Sequence, residues 1–390
     1  MALPKLRAWQ DDAIKAWNAS SQRGCMEVAT GGGKTTLALA IFQRLRDKDI
    51  NFRILVVVPT TALLDQWFLA LQDDLGLDPE DIKILSSKDL DPDRVANLVI
   101  INTARNINRV TPARPLFFVV DECHRAGSPE NSKALNVQAD AYLGLSATPH
   151  RDYDDGFEQY VEPALGKILI SYSIADALRD GVLAPLSLTY LRVPLLPEEQ
   201  EEYNRLSRAI GQAFAQDHQD RAERLLRARA RLYNSARYRL PVTVRLMNTR
   251  RGTRTLIFLE SIELAKRMTT ALDDEGHSVV LYHSEQSPHL RRSNLRGFRR
   301  GTYDVLVACR ALDEGFNVPE AQLAIIAAGT SSRRQRVQRF GRVLRTVAGK
   351  DLAEVITLYA TDVEEKRYMS ESTQLENSAA IIWQAVSLGE

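Results

Sequence analysis

Lys34 and Thr35 lie in the run Val28-Ala29-Thr30-Gly31-Gly32-Gly33-Lys34-Thr35-Thr36, which follows a short apolar stretch and opens an Ala/Leu-rich helical pattern. Residues of these types at this spacing can hold a nucleoside triphosphate. Consecutive glycines let the backbone turn with its N–H groups facing inward, and the helix that follows adds unpaired N-terminal donors and the positive end of its dipole. Lys34 would reach the β- and γ-phosphates and Thr35 would ligate Mg²⁺, with Thr30, Gly31, Gly32, Gly33 and Thr36 completing the cradle. The strict G-x-x-x-x-G-K-[ST] pattern has glycine where this chain has Val28, and a Gly-rich turn between strand and helix is the plain alternative for this stretch alone.

Asp121-Glu122-Cys123-His124 supplies the companion chemistry. A carboxylate at the end of a buried apolar run is costly unless it serves a cation, so Asp121 is expected to hold Mg²⁺ through its water shell. Glu122, the next residue, can accept a proton from a water attacking the γ-phosphate. An acidic turn that caps the following helix would explain one of these carboxylates but not the whole tetrad. Near the N-terminus, Arg7 and Gln10 are candidates for reading adenine, because a carboxamide matches both its donor and its acceptor edge.

The elements that must position these groups show in the apolar pattern. Runs at Ile54–Val58, Leu98–Ile101, Leu116–Val120 and Tyr142–Leu145 alternate with helical patterns, which indicates a parallel sheet covered on both faces. Ligands gather at the carboxyl ends of such strands, and there the sequence places Thr60 and Thr61, Asn102 and Thr103, the acidic tetrad, and Ser146-Ala147-Thr148. Trp9, Ala13, Ile14 and Trp17 share one helical face and are expected in the core.

Residues 197–251 carry a long helical pattern, and its later part is rich in arginine, with Arg224, Arg227 and Arg231 on one face and Leu225, Leu226 and Leu232 on another. A solvated basic face is the ordinary reading, and phosphate contact is the functional one. Strand-like runs return at Thr255–Leu259, Ser278–Leu281, Val305–Ala308 and Leu323–Ala327. This second α/β system has no phosphate loop of its own. It ends in Gln338-Arg339-Phe340-Gly341-Arg342-Val343-Leu344-Arg345, whose Arg342 and Arg345 fall one helical turn apart, and these arginines could complete the first domain's site in cis.

Composition narrows the classes. The 390 residues suggest two domains, and 51 Lys+Arg against 50 Asp+Glu give the whole molecule no nucleic-acid signature from net charge. Cys25, Cys123 and Cys309 are far apart and lack metal-ligand partners, which argues for a reducing compartment and against a zinc site. No apolar run reaches the ~18 residues of a membrane span, and the N-terminus lacks a signal-peptide core. A cytoplasmic protein without membrane contact is expected.

In this order the residues resemble superfamily 2 helicases and translocases, over roughly residues 5 to 368. Leu6-Arg7-Ala8-Trp9-Gln10 resembles the adenine-reading Q motif and Ala29–Thr35 resembles motif I, where this superfamily often lacks the first glycine. Asp121-Glu122-Cys123-His124 is similar to a DExH-type motif II, Ser146-Ala147-Thr148 to motif III, Leu312-Asp313-Glu314-Gly315-Phe316-Asn317-Val318-Pro319 to motif V, and the Gln338–Arg345 stretch to motif VI. Residues 178–185, the helical insert and the last motif look closest to XPB-like and restriction-enzyme motor subunits, although the Arg-Glu-Asp signature of XPB proteins is not identified.

The resemblance implies two tandem RecA-like domains of α/β class, about 1–170 and 171–390, with a helical insert near 197–251. It implies an ATP- and Mg²⁺-dependent motor on single-stranded DNA or duplex junctions, moving 3′ to 5′, with a role in repair or defence and a nuclease or targeting subunit as partner. Lys34, Asp121, Glu122, Gln338, Arg342 and Arg345 would serve catalysis, and Gly315 and Asn317 the nucleotide, Asn317 standing where aspartate is usual. His124, Ser146 and Thr148 would couple the sites, and Thr60, Thr61, Asn102, Thr103, His283 and Arg310 would meet nucleic acid. The rival readings are an RNA-dependent ATPase and a nucleic-acid-binding subunit that never cycles.

Overall fold

The computed structural model of the chain describes residues 4–86, 94–106, 114–150, 155–182, 185–309, 321–328, 353–372 and 379–386. They form two compact α/β units that divide between residues 183 and 184.

The first unit is built on a parallel sheet. Its strands are β1 (Arg23–Val28), β2 (Arg53–Val58), β3 (Ile82–Ile84), β4 (Ala96–Ile100), β5 (Leu116–Asp121), β6 (Ala141–Ser146) and β7 (Ile168–Tyr172), in the order β3-β4-β2-β5-β6-β1-β7. Every position of β2 and β5 is buried, as expected of strands with helices on both faces. Helices α1 (Ala8–Ala19), α2 (Lys34–Lys48), α3 (Thr61–Leu69), α4 (Ile101–Ala104), α5 (Glu162–Leu165) and α6 (Ile174–Arg179) complete this unit. Trp9, Ala13, Ile14 and Trp17 are buried along one face of α1, as their spacing predicts. The Trp17 indole N–H donates to the Tyr142 carbonyl at 2.8 Å, which ties α1 to β6. The sheet order sets β5, β6 and β1 side by side, so Asp121, Ser146 and the glycine run all emerge at one edge of neighbouring strands.

The second unit repeats the plan. Strands β8 (Leu186–Arg192), β9 (Thr255–Leu259), β10 (Val279–Tyr282), β11 (Val305–Cys309), β12 (Leu323–Ile326), β13 (Ala353–Tyr359) and β14 (Ala379–Ala385) pair in parallel in the order β10-β11-β9-β12-β13-β8-β14. Helices α7 (Pro197–Ala215), α8 (Gln219–Asn234), α9 (Arg239–Asn248), α10 (Ile262–Asp274), α11 (Pro288–Arg300) and α12 (Asp362–Ser372) accompany them.

β7 pairs with β1 along Cys25–Val28, so the first sheet continues past residue 170. The helical stretch 197–251 is not a uniform insert. α7 and α8 pack against each other as a hairpin, whereas α9 buries Val242 and Met247 in the same core as Ile257, Val307, Ile325 and Ile356. Arg239, 3% exposed, fastens α9 there by donating to the Ala327 and Leu358 carbonyls at 2.8 and 2.7 Å. Among the described residues no helix is long and apolar enough to cross a membrane.

Candidate active site

The glycine run turns between β1 and α2. Gly31 and Gly33 take φ of 89° and 108°, a region that side-chain-bearing residues rarely enter. At Gly33 a Cβ would also lie 2.8 Å from the Gln10 side-chain nitrogen, so the loop needs glycine there for its conformation and for the close approach of α1. Lys34, Thr35 and Thr36 form the first turn of α2 and are half-buried.

Arg7 and Gln10 grip this loop directly. The Arg7 guanidinium donates to the Gly32 carbonyl at 2.9 Å and the Gln10 carboxamide donates to the Gly33 carbonyl at 3.0 Å. The Gln10 oxygen in turn accepts from the Arg7 backbone N–H at 2.9 Å. One donor and one acceptor site are committed, which leaves the carboxamide one of each.

At the end of β5 the carboxylates are enclosed. Asp121 is 4% and Glu122 3% exposed. Glu122 adopts φ 51° and ψ 48°, a left-handed conformation that costs a non-glycine residue about 1–3 kcal/mol and that persists where surrounding contacts over-determine it. Those contacts are visible: Lys34 Nζ lies 3.2 Å from Glu122 Oε1, and His124 Nδ1 lies 3.4 Å from Oε2. His124 Nδ1 is also 2.9 Å from Ser146 Oγ, and Ser146 Oγ accepts from the Thr148 backbone N–H at 3.1 Å. His124, Ser146 and Thr148 are thereby joined by hydrogen bonds, and His124 brings the end of that chain beside the Glu122 carboxylate.

Asp121 is held at both oxygens, Oδ1 accepting from the Glu122 backbone N–H at 2.9 Å and Oδ2 from the Trp67 indole N–H at 2.8 Å. Burial, and next the adjacent Glu122 carboxylate, push the Asp121 acid up to about 6, against the opposing pull of Lys34 and of these two hydrogen bonds. A cation nearby would relieve both causes. The residues fit Mg²⁺: Thr35 sits in the first turn of α2, and an Asp121 already engaged at each oxygen suits an ion met through its water shell. Among the described residues no three His, Cys, Asp or Glu side chains could hold a metal by themselves.

Two residues of the site carry no signal in their own sequence neighbourhood. Trp67 is a buried helical aromatic whose link to Asp121 crosses 54 positions. Tyr172 stacks on Trp9 with ring centroids 4.9 Å apart, its carbonyl accepts from the Ala29 N–H at 2.8 Å, and its hydroxyl donates to Asp180 at 3.0 Å. Burial, with that carboxylate, pushes its phenol up to about 12.

The expected nucleic-acid residues of the first unit follow adjacent strands. Thr60 caps α3 by accepting from the Leu63 N–H at 3.3 Å and Thr61 opens that helix after β2, while Asn102, exposed, and Thr103 sit in α4 after β4. His283 is 6% exposed, beneath the surface rather than on it. Arg224, Arg227 and Arg231 are exposed on α8. Arg310, Gly315, Asn317, Gln338, Arg342 and Arg345 lie outside the described residues.

Comparison with known proteins follows the same division. Residues 3–151 match the family described as type III restriction enzyme, res subunit, and residues 239–347 match the helicase conserved C-terminal domain. The chain is 27% identical over 391 aligned residues to the "DNA 3'-5' translocase XPB2" of Sulfurisphaera tokodaii, covering 93% of this chain and 84% of that protein. It is 26% identical to the "Putative DNA 3'-5' helicase Rad25" of Haloarcula marismortui, covering 92% of this chain and 53%, about half, of that one. Among solved structures, Dbp5 of S. cerevisiae bound to RNA and ADP BeF3 superposes with a TM-score of 0.66 over 98% of this chain and 90% of that chain, at 14% identity. That likeness is one of fold.

Proposed function

We infer that this chain, which belongs to the superfamily 2 helicases through its two matched domains, is an ATP-dependent DNA translocase. The observation that carries the reading is the ion pair of Lys34 with Glu122, 3.2 Å apart at the mouth of the glycine loop and beside the doubly held Asp121. Lys34 exchanges the Glu122 carboxylate for phosphate oxygens when nucleotide enters, and Glu122 is thereby released to take the proton of the attacking water. Mg²⁺, met by Thr35 and Asp121, would neutralise charge on the β- and γ-phosphate oxygens. Gln10 and Arg7 would orient adenine, and Gly315 and Asn317 the ribose. His124, Ser146 and Thr148 link Glu122 to the end of β6, and through that chain would sense nucleic acid. Gln338, Arg342 and Arg345 are assigned to catalysis by their motif alone.

DNA is favoured over RNA because the relatives similar over most of the chain are named for DNA and for 3′-to-5′ movement. Thr60, Thr61, Asn102 and Thr103 would meet its backbone, with Arg310 from the second unit, through phosphates and with little sequence readout. A nuclease or targeting subunit is proposed from the likeness to restriction motors. The test compares ATPase stimulation by DNA and by RNA, then scores strand displacement on 3′- and 5′-overhang substrates and third-strand removal from a triplex. Stimulation by DNA with 3′-overhang or triplex activity is expected. Stimulation by RNA alone would make the protein an RNA-dependent ATPase, and displacement from 5′ overhangs alone would overturn the direction.

A further inference from the structure

We propose that Trp67 is a positioning residue that couples occupancy of the nucleic-acid surface at the start of α3 to the carboxylate of Asp121. The proposal rests on the reading of Thr60 and Thr61 as DNA contacts. It begins from the chemistry of indole, which has one N–H donor and no acceptor. Trp67 is fully buried, so that donor must find a partner inside the protein, and the partner is Asp121 Oδ2 at 2.8 Å. The bond is charge-assisted whenever Asp121 is ionised, and it ties α3 to the end of β5.

The geometry makes α3 a lever with both ends defined. At one end Thr60 caps the helix, its hydroxyl accepting from the Leu63 N–H and its carbonyl from the Leu64 N–H. Thr61 is the first helical residue, and Trp67 follows within the same nine-residue helix, about 9 Å along the axis at the usual helical rise. Along its whole length Ala62, Leu63, Leu64, Trp67, Phe68 and Leu69 are buried, and Trp67 at the far end meets Asp121. A packed helix of this kind shifts as a body rather than bending locally. A phosphate that draws on the Thr60 or Thr61 hydroxyl therefore changes where the Trp67 N–H meets Asp121. The other Asp121 oxygen accepts from the Glu122 backbone N–H, so reorienting the Asp121 carboxyl group also bears on the residue that takes the proton. The path is short, buried and contained in the first unit, and it differs from the His124–Ser146–Thr148 chain, which reaches Glu122 from β6.

Coupling of two ligands is reciprocal: if DNA changes nucleotide affinity by some factor, nucleotide changes DNA affinity by the same factor, commonly 5- to 150-fold. The full-length protein and its Trp67→Phe variant, which keeps an aromatic ring and removes the donor, are titrated with a non-hydrolysed ATP analogue and Mg²⁺, with and without a single-stranded oligonucleotide. DNA affinity is measured with and without the analogue. The expected result is that the wild-type coupling factor falls by about threefold or more in Trp67→Phe, the remainder being carried by the His124–Ser146–Thr148 chain, while DNA affinity without nucleotide stays as in the wild type. A second measurement uses the wild-type fold: 5-fluorotryptophan is incorporated at the four tryptophans, and the fluorine resonance of Trp67 is followed by NMR as oligonucleotide is added without nucleotide. Movement of that resonance, with Trp17 unmoved, is expected.

An undiminished coupling factor in Trp67→Phe, or a Trp67 resonance that stays fixed at saturating DNA, overturns the proposal. Failure of the underlying reading shows separately. Thr60→Val and Thr61→Val would then leave DNA affinity unchanged, whereas a fault in the coupling alone would leave those two variants weakened for DNA.

Discussion

Lys34 and Glu122 face each other at 3.2 Å with side chains only 11% and 4% exposed, so the residue proposed for phosphate and the residue proposed for water neutralise one another. Each protects a charge that would otherwise be buried alone. The pair also helps to hold Glu122 in its left-handed conformation. Glu122→Gln keeps the shape and removes both the charge and the basicity. Lys34 then meets phosphate without first surrendering a carboxylate, so nucleotide affinity is expected to equal or exceed that of wild type, while turnover falls by about 10²- to 10⁴-fold. Equilibrium binding of a labelled nucleotide alongside steady-state phosphate release separates the two effects. Near-normal turnover would refute the assignment of the base.

Gln10 bridges the Arg7 N–H and the Gly33 carbonyl, so it shapes the loop in addition to its proposed reading of the base. Gln10→Ala removes two hydrogen bonds, one buried and one partly buried, each worth about 0.5–1.5 kcal/mol. The KM for ATP is expected to rise about tenfold, and the preference for ATP over GTP to shrink, with kcat little altered. If kcat falls with KM unchanged, Gln10 serves the loop and does not read the base.

The sequence was most legible where burial is uniform. Residues 54–58 and 116–120 are apolar throughout and became β2 and β5 almost to the residue. It was least legible at sheet margins: β7, half-buried along Ile168–Ile170, offers only three consecutive apolar residues before Ser171 and so did not show as a strand beside the domain boundary expected near 170. α8 and α9 share a helical period with interspersed arginines, so they read alike. The difference is Arg239, a charged residue whose burial depends on carbonyls 88 and 119 positions away. Trp67 and Tyr172 were missed for the same reason, since the partners that give them a role are distant in sequence. The glycine turn and its meeting with Glu122 were legible because a phosphate loop and its acidic companion need particular residue types at fixed spacing.

On α8, Arg227 pairs with Glu223 at 2.8 Å while Arg224 and Arg231 are exposed on the same face. If this face meets DNA phosphates, Arg224→Glu and Arg231→Glu together should weaken binding and flatten the dependence of log affinity on log salt by about 1.4–1.8, the share of two phosphate contacts. Arg227→Glu should do less, since part of that charge is already compensated. Unchanged affinity and slope would leave α8 a solvated face.

Arg342 is assigned as a finger from its motif and from the chemistry of guanidinium, which stays charged and presents a planar fork of donors. Arg342→Ala is expected to bind nucleotide nearly as wild type while DNA-stimulated turnover falls by ~10³-fold or more. A loss confined to affinity would make it a binding residue instead.

Arg239 and Glu364 form a buried ion pair in the second unit, 2.7 Å apart and 3% and 1% exposed. Arg239 Nε donates to the Tyr233 carbonyl at 2.8 Å, Nη1 to Ala327 and Leu358, and Nη2 to Glu364 Oε1 at 2.7 Å. Glu364, 1% exposed, accepts at its other oxygen from the Ala360 and Thr361 N–H groups at 2.9 and 3.2 Å. One guanidinium therefore fastens α9 to the carboxyl ends of β12 and β13, the strands between which Gln338, Arg342 and Arg345 fall in sequence. A lysine could not reproduce this, because a single ammonium cannot span carbonyls and a carboxylate that lie on different elements. Arg239→Met fills a similar volume but leaves Glu364 buried without its cation, a change that costs about 3–5 kcal/mol. For a domain of this size that corresponds to a thermal midpoint lower by roughly 6–20 °C. Adding Glu364→Gln removes the stranded charge, so the double variant should be more stable than the sum of the two single losses by roughly 0.5–3 kcal/mol. Calorimetry on the wild type, both singles and the double closes the cycle. Strictly additive losses would mean that the carbonyl contacts alone hold α9 and that the ion pair contributes nothing.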